Sequence, residues 1–303
     1  MDSFNHQFLY SVLIIAIGYL LKRSTIIKET DGEGLARIIF NLTLPTLIIV
    51  TFNDIEFEAS LFLLVIIAII YGLFSGLLGL WAYKNSDRRT KGMLAMMVPG
   101  LNIGLFAYPL VEGLWGKEGL QYFGMFDVGN AFIVFGLCYL IGSYYSGNGV
   151  KLDFKTVVSK LSRSIPLVTY IIVCALNMLD IQLPIVIIEV SEIVSVANMP
   201  MSLLLLGIYL NFSFEKGYWN LILKYLALKY VVGLGIGITL FFILPFNDMF
   251  KFTLLVCFIL PTSTSVLPYS VEFNYNKRFV GTVSNMTIII SFILIWGLAN
   301  IIM

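Results

Sequence analysis

From residue 6 to residue 302 the chain is a succession of apolar stretches joined by short polar connectors. A bilayer core about 30 Å thick takes roughly 20 apolar residues per helical crossing. Ten such stretches can be marked, at approximately 6–21, 35–53, 60–83, 92–113, 118–144, 165–180, 185–212, 218–244, 249–272 and 278–302. Counting connectors, each pass uses roughly 30 residues, so a chain of 303 holds about ten. Charged residues make up 12% of it, half the roughly 25% of soluble domains. An all-α polytopic membrane protein is expected, with the lipid bilayer as its first partner.

The charges that remain exclude other classes. A formal net charge of +1 gives no basic face for nucleic acid. His6 is the only histidine and no HExxH motif is present, so zinc proteolysis and histidine-dependent serine chemistry lack their groups. Cys138, Cys174 and Cys257 all fall inside apolar runs without metal or redox spacing, and read as packing residues. No enzyme activity, cofactor or metal is expected.

Lysine and arginine set the orientation. Sixteen of the nineteen lie in connectors after the odd-numbered stretches: Lys22, Arg23, Lys28 and Arg37; Lys84, Arg88, Arg89 and Lys91; Lys151, Lys155, Lys160 and Arg163; Lys216 and Lys224; Lys277 and Arg278. The other side has Lys117 and Lys251 and is acidic at Asp54, Glu56, Glu58 and Asp180, while Lys229 lies inside stretch 8. Both termini are therefore expected outside the cell membrane. Met1–Gln7 carries Asp2 and no basic residue, so the first stretch is expected to be a retained span rather than a signal peptide.

The longest connector divides the chain into residues 1–145, a basic cytoplasmic linker at 146–163, and residues 164–303. Each half holds five stretches, so the second half enters the membrane inverted relative to the first. A faint duplication supports this at an offset of about 155 to 160 residues: Pro45 answers Pro200, and Pro109 with Val111-Glu112 and Lys117 answers Pro268 with Val271-Glu272 and Lys277.

Stretches 4 and 9 are the unusual ones. The first runs Val98-Pro99-Gly100-Leu101-Asn102-Ile103-Gly104 on to Tyr108-Pro109, and the second Leu260-Pro261-Thr262-Ser263-Thr264-Ser265 on to Pro268. Each has two prolines bracketing a polar or glycine-bearing segment. Proline removes a backbone donor, and the carbonyls it frees cannot face lipid. Paired breaks at corresponding places in two halves mark a transporter site. Unpaired N–H groups at the start of each second half-helix, with Asn102 and the Thr262–Ser265 hydroxyls, suit an anion.

Other polar residues in the stretches are ambiguous. Asp127, about ten residues into stretch 5, either binds a coupling proton or cation with Asn130 at i+3, or is a structural carboxyl. Asn41 and Thr43 before Pro45, and Asn198 before Pro200, either satisfy carbonyls freed by those prolines or face the substrate. Lys229 is expected to snorkel or to pair with a carboxylate. Gly233, Gly235 and Gly237, and Gly72, Gly76 and Gly79, read as helix-packing notches.

At these residues the chain resembles the auxin efflux carrier family, which includes the plant PIN carriers and bacterial relatives described as malate or malonate permeases. The similar segments are Gly34-Leu-Ala-Arg37 through Leu44-Pro45, Asn102 through Tyr108-Pro109, Phe126-Asp127-Val128-Gly129-Asn130-Ala131, Ile165-Pro166, Leu183-Pro184, Met199-Pro200 and Leu206-Gly207. The resemblance implies ten transmembrane helices in a 5+5 inverted repeat with broken, crossing helices 4 and 9, as in sodium/bile-acid symporters or NhaA. It further implies a scaffold of spans 1, 2, 6 and 7, a moving unit of spans 3–5 and 8–10, elevator-like transport of organic anions, and often a homodimer. It places Asn102, Pro109 and the span 9 break at the site. The long central loop of the plant carriers is missing, and the Thr262–Ser265 segment lengthens the gap between the prolines of span 9.

The expectation is a secondary transporter of small organic anions, carboxylates first, with proton or sodium coupling open. Its candidate substrate residues are Asn102, Tyr108, Pro109, Pro261, Thr262, Ser263, Thr264, Ser265, Pro268, Asn41 and Asn198, and its coupling candidates Asp127 and Asn130. A channel or a receptor for a small polar ligand is the alternative.

Overall fold

The apolar stretches fold as helices in the computed structural model of the chain, which describes residues 2–56, 58–146, 154–211 and 217–302. Lys151, Lys216 and the first part of the central linker lie outside the described residues. The helices are α1 (Asp2–Arg23), α2 (Glu29–Phe52), α3 (Ala59–Ala82), α4 (Arg88–Met97), α5 (Ile103–Tyr145) and α6 (Phe154–Ser162). They continue with α7 (Ile165–Met178), α8 (Ile185–Tyr209), α9 (Trp219–Ile243), α10 (Asp248–Phe258), α11 (Val266–Glu272) and α12 (Lys277–Ile302). Among the described residues there is no strand beyond one isolated backbone bridge.

Six of these, α2, α3, α5, α8, α9 and α12, are long and apolar enough to cross a membrane. The pair α6 and α7, bent by 71°, reaches the same standard only when taken together. The fold is thus that of an all-helical polytopic membrane protein. α5 holds the end of stretch 4 and all of stretch 5 in 43 residues, roughly 64 Å of helix at 1.5 Å per residue. That is about twice a bilayer core, and Gly116, at φ 57° and ψ −142°, breaks it into two segments. Only glycine takes that conformation readily. The described second part of the central linker forms a helix, α6. Val157 buries itself and Leu161 half-buries on one face of α6, with Lys155 and Lys160 beside them.

Packing sorts the helices into two groups. In the first, α1 runs against the second half of α8, and the second half of α2 packs on α7 and on the first half of α8. Gly207 makes the α1–α8 contact possible: a Cβ there would lie 2.1 Å from the Ile15 carbonyl oxygen. In the second group α3 lies along α5, α4 on the end of α5, α9 on α10, and α11 on α12. Gly72, Gly76 and Gly79 of α3 and Gly233 and Gly237 of α9 work as notches here, whereas Gly235, expected to be one, meets open space. A Cβ on Gly72 would strike Ile133, and one on Gly233 the Phe258 carbonyl.

Candidate functional site

The two broken stretches meet. α4 ends at Met97 and α10 at Phe258, shortly before Pro99 and Pro261, because a proline has no N–H to continue the ladder and its ring crowds the preceding turn. Beyond each end the chains run antiparallel, with Leu101 bridged to Thr262. The Asn102 N–H donates to the Pro261 oxygen at 2.9 Å and the Ser263 N–H to the Gly100 oxygen at 3.0 Å. Backbone groups released by one break are thus taken up by the other.

Side chains of neighbouring helices satisfy what remains. Asn130 on α5 accepts from the Leu101 N–H at 3.1 Å and donates to the Leu101 oxygen at 3.0 Å. On the other strand the Thr287 hydroxyl accepts from the Thr262 N–H at 3.1 Å. Tyr225 on α9 donates to the Met97 oxygen at 2.8 Å and shares a 2.7 Å hydrogen bond with the Thr262 hydroxyl. Buried polar groups without such partners would cost several kcal/mol apiece.

The prolines do not bracket the breaks as their spacing suggests. Only the first of each pair ends a helix. Pro109 and Pro268 lie inside the resumed helices, and Pro268 is the third residue of α11, where no N–H donor is needed. Pro109 directly follows a π-turn at Ile103–Ala107. Pro45 follows a similar π-turn at Ile39–Thr43. The widened turn, with the Tyr108 N–H bonded to the Ile103 oxygen and the Leu44 N–H to the Ile39 oxygen, lets each proline pass without ending the helix. The free donors expected at the start of α11 are also partly used. Ser263 Oγ accepts from the Ser265 N–H at 3.3 Å, and the N–H groups of Val266 and Leu267 close turns onto Ser263 and Thr264.

A cavity of about 1230 Å³ leads to this crossing. Its rim carries the exposed Glu29, Glu33, Arg163, Glu272, Lys277 and Arg278, so it opens on the side of the basic connectors. Its deep end is formed by Asn102, Asp127, Asn130, Tyr170 and the Ser263–Ser265 segment. Asn102 is 4% exposed, and its Nδ2 has no hydrogen-bond partner. Asp127 accepts from Asn130 Nδ2 at 3.1 Å and from the Tyr108 hydroxyl at 3.0 Å. Tyr108 in turn is hydrogen-bonded to Tyr170 on α7.

The structure therefore brings together Asn102, Ser263, Thr264, Ser265, Pro268, Asp127, Asn130 and Asn41 along one cavity. Tyr108, Pro109, Pro261, Thr262 and Asn198 do not line it. Tyr108 reaches it through Asp127 and Tyr170, Pro261 serves through its backbone, and Thr262 through its backbone and its bond to Tyr225. Asn41 donates to the Arg37 oxygen at 2.7 Å, one turn before it. Thr43 and Asn198, 155 residues apart and each two residues before the proline of its half, bond to each other at 3.1 Å. Asn198 is fully buried there. Lys229 neither snorkels nor finds a carboxylate. It is 4% exposed, and among the described residues no acid lies within ion-pair distance. Tyr170, Tyr225 and Thr287 escaped sequence reasoning. For Tyr170 the usable signal was a phenol in the middle of an aliphatic run, since a buried hydroxyl needs a partner.

Residues 5–298 match the sequence pattern of the family described as membrane transport protein, the family of the auxin efflux carriers. The chain belongs to that family. Two relatives in this membrane transport family are similar along much of their length. An uncharacterized transporter of Methanocaldococcus jannaschii is 23% identical over 300 residues, covering 94% of this chain and 95% of the relative. One of Methanothermobacter thermautotrophicus is 26% identical over 209 residues, covering 68% and 67%. Membership makes the chain a membrane transport protein.

Proposed function

We propose that this transporter carries small organic anions, carboxylates first, across the cell membrane by elevator-type alternating access. The observation that carries this is the unpartnered, buried amide of Asn102 at the closed end of the cavity, where two broken helices cross. No Lys or Arg lies in either break, so the anion is held by neutral donors and by the start of α5, whose first N–H groups carry partial positive charge. Such a site binds without the tightness that would slow release.

In this proposal the chain makes ten crossings in a 5+5 inverted repeat, with both termini outside and the cavity open to the cytoplasm. The group of α1, α2, α7 and α8 is the scaffold. The other group moves with the crossing inside it, and two copies of the scaffold provide a homodimer. A proton or sodium ion at Asp127 and Asn130 supplies coupling. Support comes from the division of the packing into two groups and from the sorting of basic residues to one side.

The test is uptake by the purified full chain in proteoliposomes against a panel of radiolabelled mono- and dicarboxylates. A carrier of this class gives saturable uptake of at least one of them, suppressed by competitors. Non-saturating flux would make the protein a channel, and binding without flux a receptor.

A further inference from the structure

Tyr170 touches two spaces. It lines the deep end of the large cavity, and it also lines a void of about 10 Å³ on the far side, with Tyr108, Leu120, Leu47, Thr51 and Phe52. A space that size holds one water at most. The Phe52 ring stands edge-on to Tyr170 at 5.1 Å. The wall between the cavity and this void is formed at Tyr170, and the polar contact within it is the hydroxyl pair Tyr108–Tyr170. That pair joins the two helix groups, since Tyr108 is on α5 and Tyr170 on α7.

Hydrogen-bond arithmetic gives the pair a direction. As a carboxylate Asp127 only accepts, and both its oxygens are engaged, by Asn130 and by Tyr108. Tyr108 has spent its one proton on Asp127 and so accepts from Tyr170. A proton arriving on Asp127 from cavity water turns its Oδ2 into a donor towards Tyr108. Tyr108 then either donates to Tyr170, whose own hydroxyl has no second acceptor among the described residues, or goes on accepting from Tyr170 and leaves its own proton unpaired. The chain loses its terminal acceptor, and the contact between the groups weakens.

We infer that Asp127, Tyr108 and Tyr170 form a proton-operated lock between the two helix groups, closed when Asp127 is ionised and released when it takes up a proton. The lock rests on the proposed movement of those groups, and names the path by which a proton at Asp127 acts on it. Titratable groups facing the chain are Cys174 beside Tyr170 on α7 and Cys257 on α10. Asp127 apart, the charged residues of the cavity stand at its rim, and the elements that complete the wall, α2 and the Leu120 turn of α5, present none to it.

Thr51 is buried against the far side of the lock, and Thr51→Cys reports its opening by reaction with a membrane-impermeant maleimide. Rates are measured on the full chain in proteoliposomes, with the chain lacking Thr51→Cys as background and an exposed Asp180→Cys as the reference for thiol reactivity. Asp127→Asn, which donates as the protonated acid does, should raise labelling about fivefold or more, the effect of losing one hydrogen bond on an equilibrium. Tyr170→Phe should raise it similarly, and the double variant no further. Without either substitution, the referenced rate should rise as the pH is lowered from about 8 to about 4, a span that takes a carboxyl from ionised to protonated, and Asp127→Asn should abolish that rise. Unchanged labelling in Asp127→Asn and Tyr170→Phe overturns the lock, as does a pH response that survives Asp127→Asn. Should Asp127→Asn fail to fold, Tyr170→Phe and the pH response of the parent decide alone. Carboxylate uptake is scored separately: uptake with unchanged labelling sinks the lock only, and labelling as expected without uptake sinks the substrate assignment only.

Discussion

The side-chain amide of Asn130 clasps both backbone groups of Leu101, accepting from its N–H at 3.1 Å and donating to its oxygen at 3.0 Å. Leu101 is the residue at which one broken helix crosses the other, so a single amide on α5 completes the hydrogen bonding of the break that holds Asn102.

Asn130→Ala should therefore leave two buried backbone groups unpaired, at about 1–3 kcal/mol each. A lower melting temperature of the purified protein is expected, together with weaker ligand binding because Asn102 loses its support. A melting curve identical to the parent's would show that the clasp contributes nothing.

Asn102→Ala should behave in the opposite way. Its Nδ2 bonds to nothing in the protein, so folding is spared. A lost hydrogen bond to a charged ligand is worth about 1.5–3 kcal/mol, which predicts a roughly tenfold to hundredfold loss of affinity for the carried anion. Thermal-shift titration measures it, and wild-type affinity would remove Asn102 from the site.

Gly207 has no room for a side chain, and a Cβ would come within 2.1 Å of the Ile15 carbonyl oxygen and 2.8 Å of the Tyr19 nitrogen. Both obstacles are backbone, which cannot swing aside. Gly207→Ala should cost about 1–3 kcal/mol by overpacking and lower the melting temperature, whereas Gly235→Ala, which meets open space, should be neutral within error.

Asp87 caps α4, accepting from the N–H groups of Arg89 at 3.1 Å and Thr90 at 3.0 Å. Hydrogen bonds from the Thr90 side chain and backbone hold its carboxyl below the usual range. A folded value below the unfolded one means the cap's contribution is present above about pH 4 and is lost as pH falls through the folded value. Asp87→Ala should cost about 0.5–2 kcal/mol at neutral pH, and the difference from the parent should shrink in acid. A gap in melting temperature that is constant down to about pH 3 would contradict the cap.

Much of the fold is legible in local composition. Runs of apolar residues announce helices, and Pro99 and Pro261 end α4 and α10 where a donorless residue must. The later prolines misled. Pro109 and Pro268 resemble second brackets because nothing in their own segments reveals that the helix has already resumed. For Pro109 the accommodation is a π-turn, a backbone adjustment without a sequence signature. Lys229 shows a second limit: its burial follows from how α9 packs, and its neighbours in sequence are as apolar as those of any span.

The candidate site divides in the same way. Hydropathy, proline chemistry and the sorting of basic residues act over a few adjacent residues or over whole connectors, so the sequence alone determined a polytopic helical protein, the two breaks, and Asn102 and Asp127 as polar groups deep within it. Only the tertiary structure decided that the breaks satisfy each other, that Thr43 turns to Asn198 instead of to a ligand, and that Tyr108 meets a partner 62 residues away. Those pairings are made by helices that are neighbours in space but not in the chain, and the requirement that each buried polar group find a partner fixes how many such pairs exist without saying which they are.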